Sequence, residues 1–179
     1  MSLSDLESAI IEFIGDVLVN DCARPEPTKV MRYHGTMPDA CCTDDGVLSI
    51  SWEQGFPSKI FPQRSTDKCV GAPVYTFNIR YVTCWAGLTD VSPEAVVMPD
   101  DQWDADAAML ADVADCVARQ LLKLACDPIS PDPFTAAILE QVMANQFQWI
   151  DTTPVRPGGL CAGVTWRVYA SLKSGAVAS

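Results

Sequence analysis

"VYTFNIRYVTCWAGLTDVSPE" occupies residues 74–94, and the fold turns on how it is read. From Val74 to Cys84, Tyr75, Phe77, Ile79 and Tyr81 alternate with Thr76, Asn78 and Arg80. A period of two sends the apolar side chains to one face and the polar ones to the other, which predicts a half-buried strand. The strand ends on Cys84 and Trp85, and a polar turn follows. At that point Cys84 has four readings: a nucleophile, a metal ligand, half of a disulfide, or part of the packing.

A second strand lies near the other end of the chain. "LCAGVTWRVYASL", residues 160–172, sets Ala162, Val164, Trp166 and Val168 against Cys161, Gly163, Thr165, Arg167 and Tyr169. Ahead of the first strand, "GVLSISW", residues 46–52, alternates Leu48, Ile50 and Trp52 with Val47, Ser49 and Ser51. Residues 54–73 hold three prolines and two glycines and are expected to form a loop or irregular hairpin.

Helices flank these strands. Ser4 and Glu7 have capping-box spacing, and Leu6, Ile10, Phe13, Ile14, Val17 and Leu18 follow at helical spacing, predicting a helix from about 4 to 19. Residues 85–99 read as a crossing loop. The next stretch carries the apolar stripe Leu110, Ala114, Val117, Leu121 and Leu124, with acids at its start and Arg119 and Lys123 near its end, as the helix dipole favours. Residues 134–150 are expected to add a shorter helix, and a flexible tail is expected from 173. The order helix, strands, long helix, strand predicts one α+β domain over residues 1–179. In it a small antiparallel or mixed β-sheet packs against helices on one face.

With 179 residues, 49% of them hydrophobic and 20% charged, the chain can build an ordinary apolar core. Asp5, Glu7, Glu12 and Asp16 interrupt the first apolar run, which argues against a signal peptide and a membrane span. A soluble protein made in the cytoplasm is the expectation. The formal charge of −11 argues against wrapping nucleic acid, which needs Lys and Arg on the phosphates.

Catalytic constellations are sparse. The single histidine, His34, sits in the turn-rich "KVMRYHGTMPD", where Cys41 or Cys42 would pair with it only if the fold brought them together. The adjacent carboxylates Asp44–Asp45 and Asp100–Asp101 repel each other; Asp100 or Asp101 is read more simply as the cap of the long helix. "RPGGLCAG", residues 156–163, lacks the lysine and the strand–loop–helix setting of a phosphate loop. The eight cysteines form no C-x-x-C pair, so no zinc knuckle is expected, and neither is any cofactor or metal. Cys42, Cys69, Cys84 and Cys161 fall near element ends, where they can pair across loops or stay as thiols. Cys116, inside the long helix, is expected to pack.

The series "CCTDDGVLSISW", "FP", "KC", "YTFNIRYVTCW", a long helix and "GGLCAGVTWRVYASL" resembles a family of tail-assembly proteins from siphophages of actinobacteria. The matching positions are Cys42, Gly46, Leu48, Cys69, Tyr75 to Cys84, Trp103, Gly158, Gly159, Cys161, Gly163, Thr165 and Trp166. In element order the likeness spans about residues 4–170. Two departures stand out: the 134–150 segment, and Thr83 where a more basic or polar residue is expected before the cysteine.

The resemblance implies a head–tail interface protein of the virion, the tail terminator above all. It implies an α/β fold with a small sheet flanked by helices, and a homohexameric ring that caps the tail tube, ends its polymerisation and meets the head connector or stopper protein. Genomic DNA passes through its lumen. The acidic groups Asp39, Asp44 and Asp45, and Asp100, Asp101, Asp104 and Asp106, are then the candidates to face DNA, because a basic bore would hold the duplex. On this reading Cys84 is structural and the protein is no enzyme. The alternatives are another connector (stopper or tail-completion) protein, a fibre or capsid decoration protein, and a small cysteine-dependent intracellular enzyme.

Overall fold

Ser2 starts the first helix. Its Oγ accepts from the Asp5 N–H at 3.2 Å, while its own N–H donates to Asp5 Oδ2 at 2.7 Å. This reciprocal pair is a capping box two residues upstream of the expected Ser4–Glu7 pair. Glu7 is instead buried on the helix's inner side. The helix, α1 (Leu3–Asn20), buries Leu6, Ile10, Phe13, Ile14, Val17 and Leu18, the residues whose spacing predicts it. The computed structural model describes residues 2–33, 45–66, 71–84, 100–126, 133–158 and 161–173, with the side chains of 100–103 and 156–158 outside that description.

The remaining elements are β1 (Lys29–Arg32), β2 (Val47–Ser58), β3 (Ala72–Cys84), α2 (Asp100–Cys126), α3 (Pro133–Gln141), β4 (Val142–Gly158) and β5 (Cys161–Leu172). They form a small α+β fold with one mixed five-stranded sheet in the order β1-β2-β3-β5-β4. β1 runs parallel to β2, and every other pairing is antiparallel. The expected crossing loop at 85–99 lies outside the described residues.

Register explains the core. Leu48, Tyr81 and Val164 form one row across β2, β3 and β5, and Ile50, Ile79 and Trp166 form the next. All six are at most 3% exposed and share one cluster with the inner faces of α1, α2 and α3. The three helices therefore cover the same side of the sheet. Each fully buried Leu or Ile contributes about 2 kcal/mol relative to exposure. From α2 the cluster takes Val113, Val117, Leu121 and Leu124, with Leu110 and Ala114 at its margin.

Several expectations need correction. Residues 134–150 are not one helix: α3 stops at Gln141, and the chain continues directly into the 17-residue strand β4. Pairing with β5 overrides the helical spacing of the local sequence. Asn145, at φ 58°, sits where the register slips between Val142 and Phe147, and that irregularity hides the strand's alternation. Of the two readings offered for residues 54–73, the irregular hairpin holds: β2 continues past a bulge between Trp52 and Gln54 to Ser58, which pairs with Ala72 of β3. Lys29–Arg32, read as turn-rich, is the edge strand β1; Arg32 Nη1 ties it to α1 by donating to Ser4 O, Ser4 Oγ and Ser8 Oγ at 2.7–3.2 Å. Cys116 does not merely pack: it is disulfide-bonded to Cys22 across 94 residues, joining α2 to the end of α1. Lys173 is held, its N–H donating to Gln141 O at 2.9 Å, and residues 174–179 lie outside the described residues.

Candidate functional site

The sheet face turned away from the helices carries a polar row. Ser51, Asn78, Arg167 and Asp151 are successive partners across β2, β3, β5 and β4. The bulge after Trp52 brings Glu53 to the same row, where Asn78 Nδ2 donates to Glu53 Oε2 at 3.4 Å. At the other end Arg167 Nη2 is hydrogen-bonded and ion-paired to Asp151 Oδ2. That hydrogen bond holds the Arg167 guanidinium above its ordinary pKa against the opposing effect of burial, with Asp151, Glu53 and Tyr169 adding electrostatic support.

The next row, Ser49, Arg80, Thr165 and Thr153, is also polar, and Ser49 Oγ donates to the Arg80 carbonyl at 3.2 Å. Arg167 and Asp151 keep side-chain exposures of 41% and 36%. Half-exposed charges of both signs on a pleated surface suit recognition of another polar surface. Among the described residues no group of three or more His, Cys, Asp and Glu is placed to hold a metal ion, and no helix is long and apolar enough to cross a membrane.

The acidic candidates separate. Six aspartates fall between residues 100 and 115 with no lysine or arginine among them. Asp104, Asp112 and Asp115 are exposed along α2, and Asp106 is half-buried. Asp115 is paired to Arg119 at 2.5 Å. Asp100 and Asp101 open α2, as expected of its first turn. Asp45 is exposed just before β2, and its carbonyl accepts from the Tyr81 hydroxyl at 3.4 Å. Asp39 and Asp44 lie outside the described residues, so the structure does not join Asp45 to them.

On the helix side, the N-terminal half of α2 stands off from β4. Ala107, Ala111 and Ala114 of α2 and Thr152, Pro154 and Val155 of β4 line a largely apolar groove of about 380 Å³. Small side chains on the helix leave the space, and the bulged β4 forms its other wall.

Cys84 is half-buried at the end of β3 and stands directly opposite Cys161 in the β3–β5 ladder. Cys161 itself is disulfide-bonded. Cys42 and Cys69, and the His34–Cys41/Cys42 pairing, lie outside the described residues.

Gly46, Gly163 and Trp166, three of the positions singled out in the sequence, are framework. Gly46, at φ +89°, lies against the Tyr81 ring, where a Cβ would come within 2.7 Å of the hydroxyl. Gly163 lies against the Tyr81 and Val82 backbone. Trp166 is fully buried. Sequence reading missed Glu53 and Asp151 as members of the polar row. For Asp151, just past the expected helix, the available signal was Pro154, which is compatible with an edge strand. Known protein families and curated proteins both yield no match to the chain.

Proposed function

We propose that this chain is the ring-forming subunit of a phage tail terminator. The observation that carries the reading is the one-sided sheet. Its described helices all lie on one face, and the other face carries the part-exposed polar row Glu53–Asn78–Arg167–Asp151. A subunit built this way has a charged sheet face for protein contact and, separately, an acidic helix surface on α2. In the assembled virion six copies form a ring on the end of the tail tube, stop its growth and meet the head connector or stopper protein. Asp104 and Asp106, with the other acids of α2, line the bore through which genomic DNA passes, and their charge keeps phosphates from sticking. The subunit is made in the host cytoplasm, acts structurally and needs no cofactor.

The test mixes the purified protein with polymerising tail-tube protein and follows tube length and end structure by electron microscopy. Six copies capping tubes that then stop growing is the expected result. Binding to the portal-side connector with tube growth unaffected would assign it instead as a stopper. A hydrolytic or transferase activity lost in His34→Ala with the fold intact would overturn the structural reading in favour of an enzyme.

A further inference from the structure

Between β2 and β3 the chain makes a tight turn outside the sheet. Gln63 N–H donates to Ile60 O at 2.7 Å, and Ser65 N–H ties the turn back to Pro57 O at 2.8 Å. This held turn presents Ile60 to solvent at 68% exposure, the highest among the exposed large hydrophobic residues. Its neighbours are basic: residues 59–64, "KIFPQR", include Lys59 and Arg64 and no acid. Ile60 therefore stands exposed on a braced turn whose described neighbours carry positive charge.

The apolar groove between α2 and β4 has the complementary character. Its helix wall is Ala107 and Ala111, and exposed Asp104 precedes them by three and seven residues, placing it on the same side of α2. Within one copy the two features cannot meet. The turn follows Ser58, which pairs with Ala72 at one end of β3, whereas the groove lies beside Gly163, which pairs with Val82 near the other end. Ten residues of strand separate those two positions, about 34 Å at the usual rise.

We infer that the 59–64 turn of one copy seats in the α2–β4 groove of the next, with Ile60 in the apolar groove and Arg64 toward Asp104. Projection and groove are different surfaces at opposite ends of the sheet, so the contact is head-to-tail. Such a contact repeats from copy to copy and closes into a ring when the rotation allows. It deepens the ring reading above by naming the surfaces that join the copies, and it moves Asp104 from the bore to the contact between copies, leaving Asp106, two residues on and on another side of α2, to the bore.

The test places a photo-reactive benzoyl-phenylalanine at position 60 in the full chain. Labelled protein is mixed with an isotopically heavy copy at the highest soluble concentration, irradiated and mapped by mass spectrometry. Light–heavy cross-links from position 60 to 104–114 or 152–155 are expected. Ile60→Asp should weaken self-association measured by sedimentation at least about tenfold while leaving circular dichroism unchanged. Arg64→Glu should weaken it too, and adding Asp104→Arg should restore much of the loss. Cross-links to any other surface, none between copies, or unchanged association of Ile60→Asp would overturn the inference. Tube capping by a ring whose position 60 cross-links elsewhere defeats this contact but leaves the terminator reading intact. The mapped contact without capping does the reverse.

Discussion

The indole Nε1 of Trp166 donates to the Ala114 carbonyl at 3.1 Å, tying the centre of β5 to the middle of α2. Trp166 is fully buried, so this bond is shielded from water as well as surrounded by the core. Trp166→Phe keeps much of the packing but loses the donor, and should cost about 1–2 kcal/mol. Trp166→Ala should cost about 3–5 kcal/mol by opening the core. Urea unfolding of the two variants measures both, and a Trp166→Phe variant as stable as the wild type would mean the hydrogen bond contributes nothing.

The Cys22–Cys116 disulfide closes a long loop, its ends 94 positions apart in sequence. Cross-linking so much chain restricts the unfolded state, so the double variant Cys22→Ala/Cys116→Ala should lose about 2–4 kcal/mol. Denaturant titration under non-reducing conditions reads this directly, and the midpoint should fall while the slope rises, because the unfolded chain without the cross-link exposes more surface.

Gly163→Ala should be among the most damaging small substitutions. The added Cβ would overlap the Tyr81 carbonyl oxygen and stand 2.9 Å from Val82 Cα, both backbone atoms that cannot swing aside. A loss of roughly 3 kcal/mol is expected from prying β3 and β5 apart. Thermal unfolding provides the measurement, with Gly15→Ala, whose Cβ would meet Leu48 at an ordinary 3.8 Å, as the comparison.

The helix cap makes a pH prediction. The Ser2 backbone and side-chain hydrogen bonds hold the Asp5 carboxyl below its ordinary 3.8. The unfolded chain therefore binds a proton at Asp5 more readily than the folded one. The cap's contribution is fully present above about pH 4 and is lost as pH falls through the lowered folded value. Asp5→Asn should thus separate from the wild type in melting temperature at neutral pH and converge with it in acid. Ser2→Ala, which removes the hydroxyl acceptor, should cost about 1 kcal/mol at neutral pH.

The Arg167–Asp151 pair should behave differently. With both side chains more than a third exposed, solvent screens the attraction, and Asp151→Asn should cost less than about 1 kcal/mol. Its effect on binding a neighbouring protein should exceed its effect on folding. A titration of both quantities against salt separates the two roles.

Much of the sheet was legible because β3 and β5 obey strict alternation: the same residues that alternate in sequence pair as rows in the structure. The α1 stripe was legible for the matching reason at helical spacing. β4 was not, since "FTAAILEQVM" has no marked break and the strand's pairing slips at Val142/Phe147, Trp149/Asp151 and Val155/Gly158. β1 is four residues long and is held by its parallel neighbour and by Arg32, contacts that local sequence does not encode. Two S-x-x-acid spacings compete at the N-terminus, and burial of Glu7 removes the one expected. Of the polar row, Asn78 and Arg167 were visible on the polar sides of their strands, but their grouping with Glu53 and Asp151 depends on a bulge and on a strand that reads as helix. The Cys22–Cys116 partnership likewise depends on how α1 and α2 are packed.

The placement of β5 between β3 and β4 also bears on how the nascent chain matures. β5 is synthesised after the other described strands, yet it sits inside the sheet, and among the described strands β4 pairs only with β5. While residues 161–172 are still being made, the β2–β3 pair is already available, but β3 exposes an unsatisfied backbone edge and β4 has no ladder to join. Open edges of this kind invite pairing with other chains. The interval before translation passes Leu172 is therefore the period of greatest aggregation risk, and ribosome-associated chaperones would protect the protein most during it.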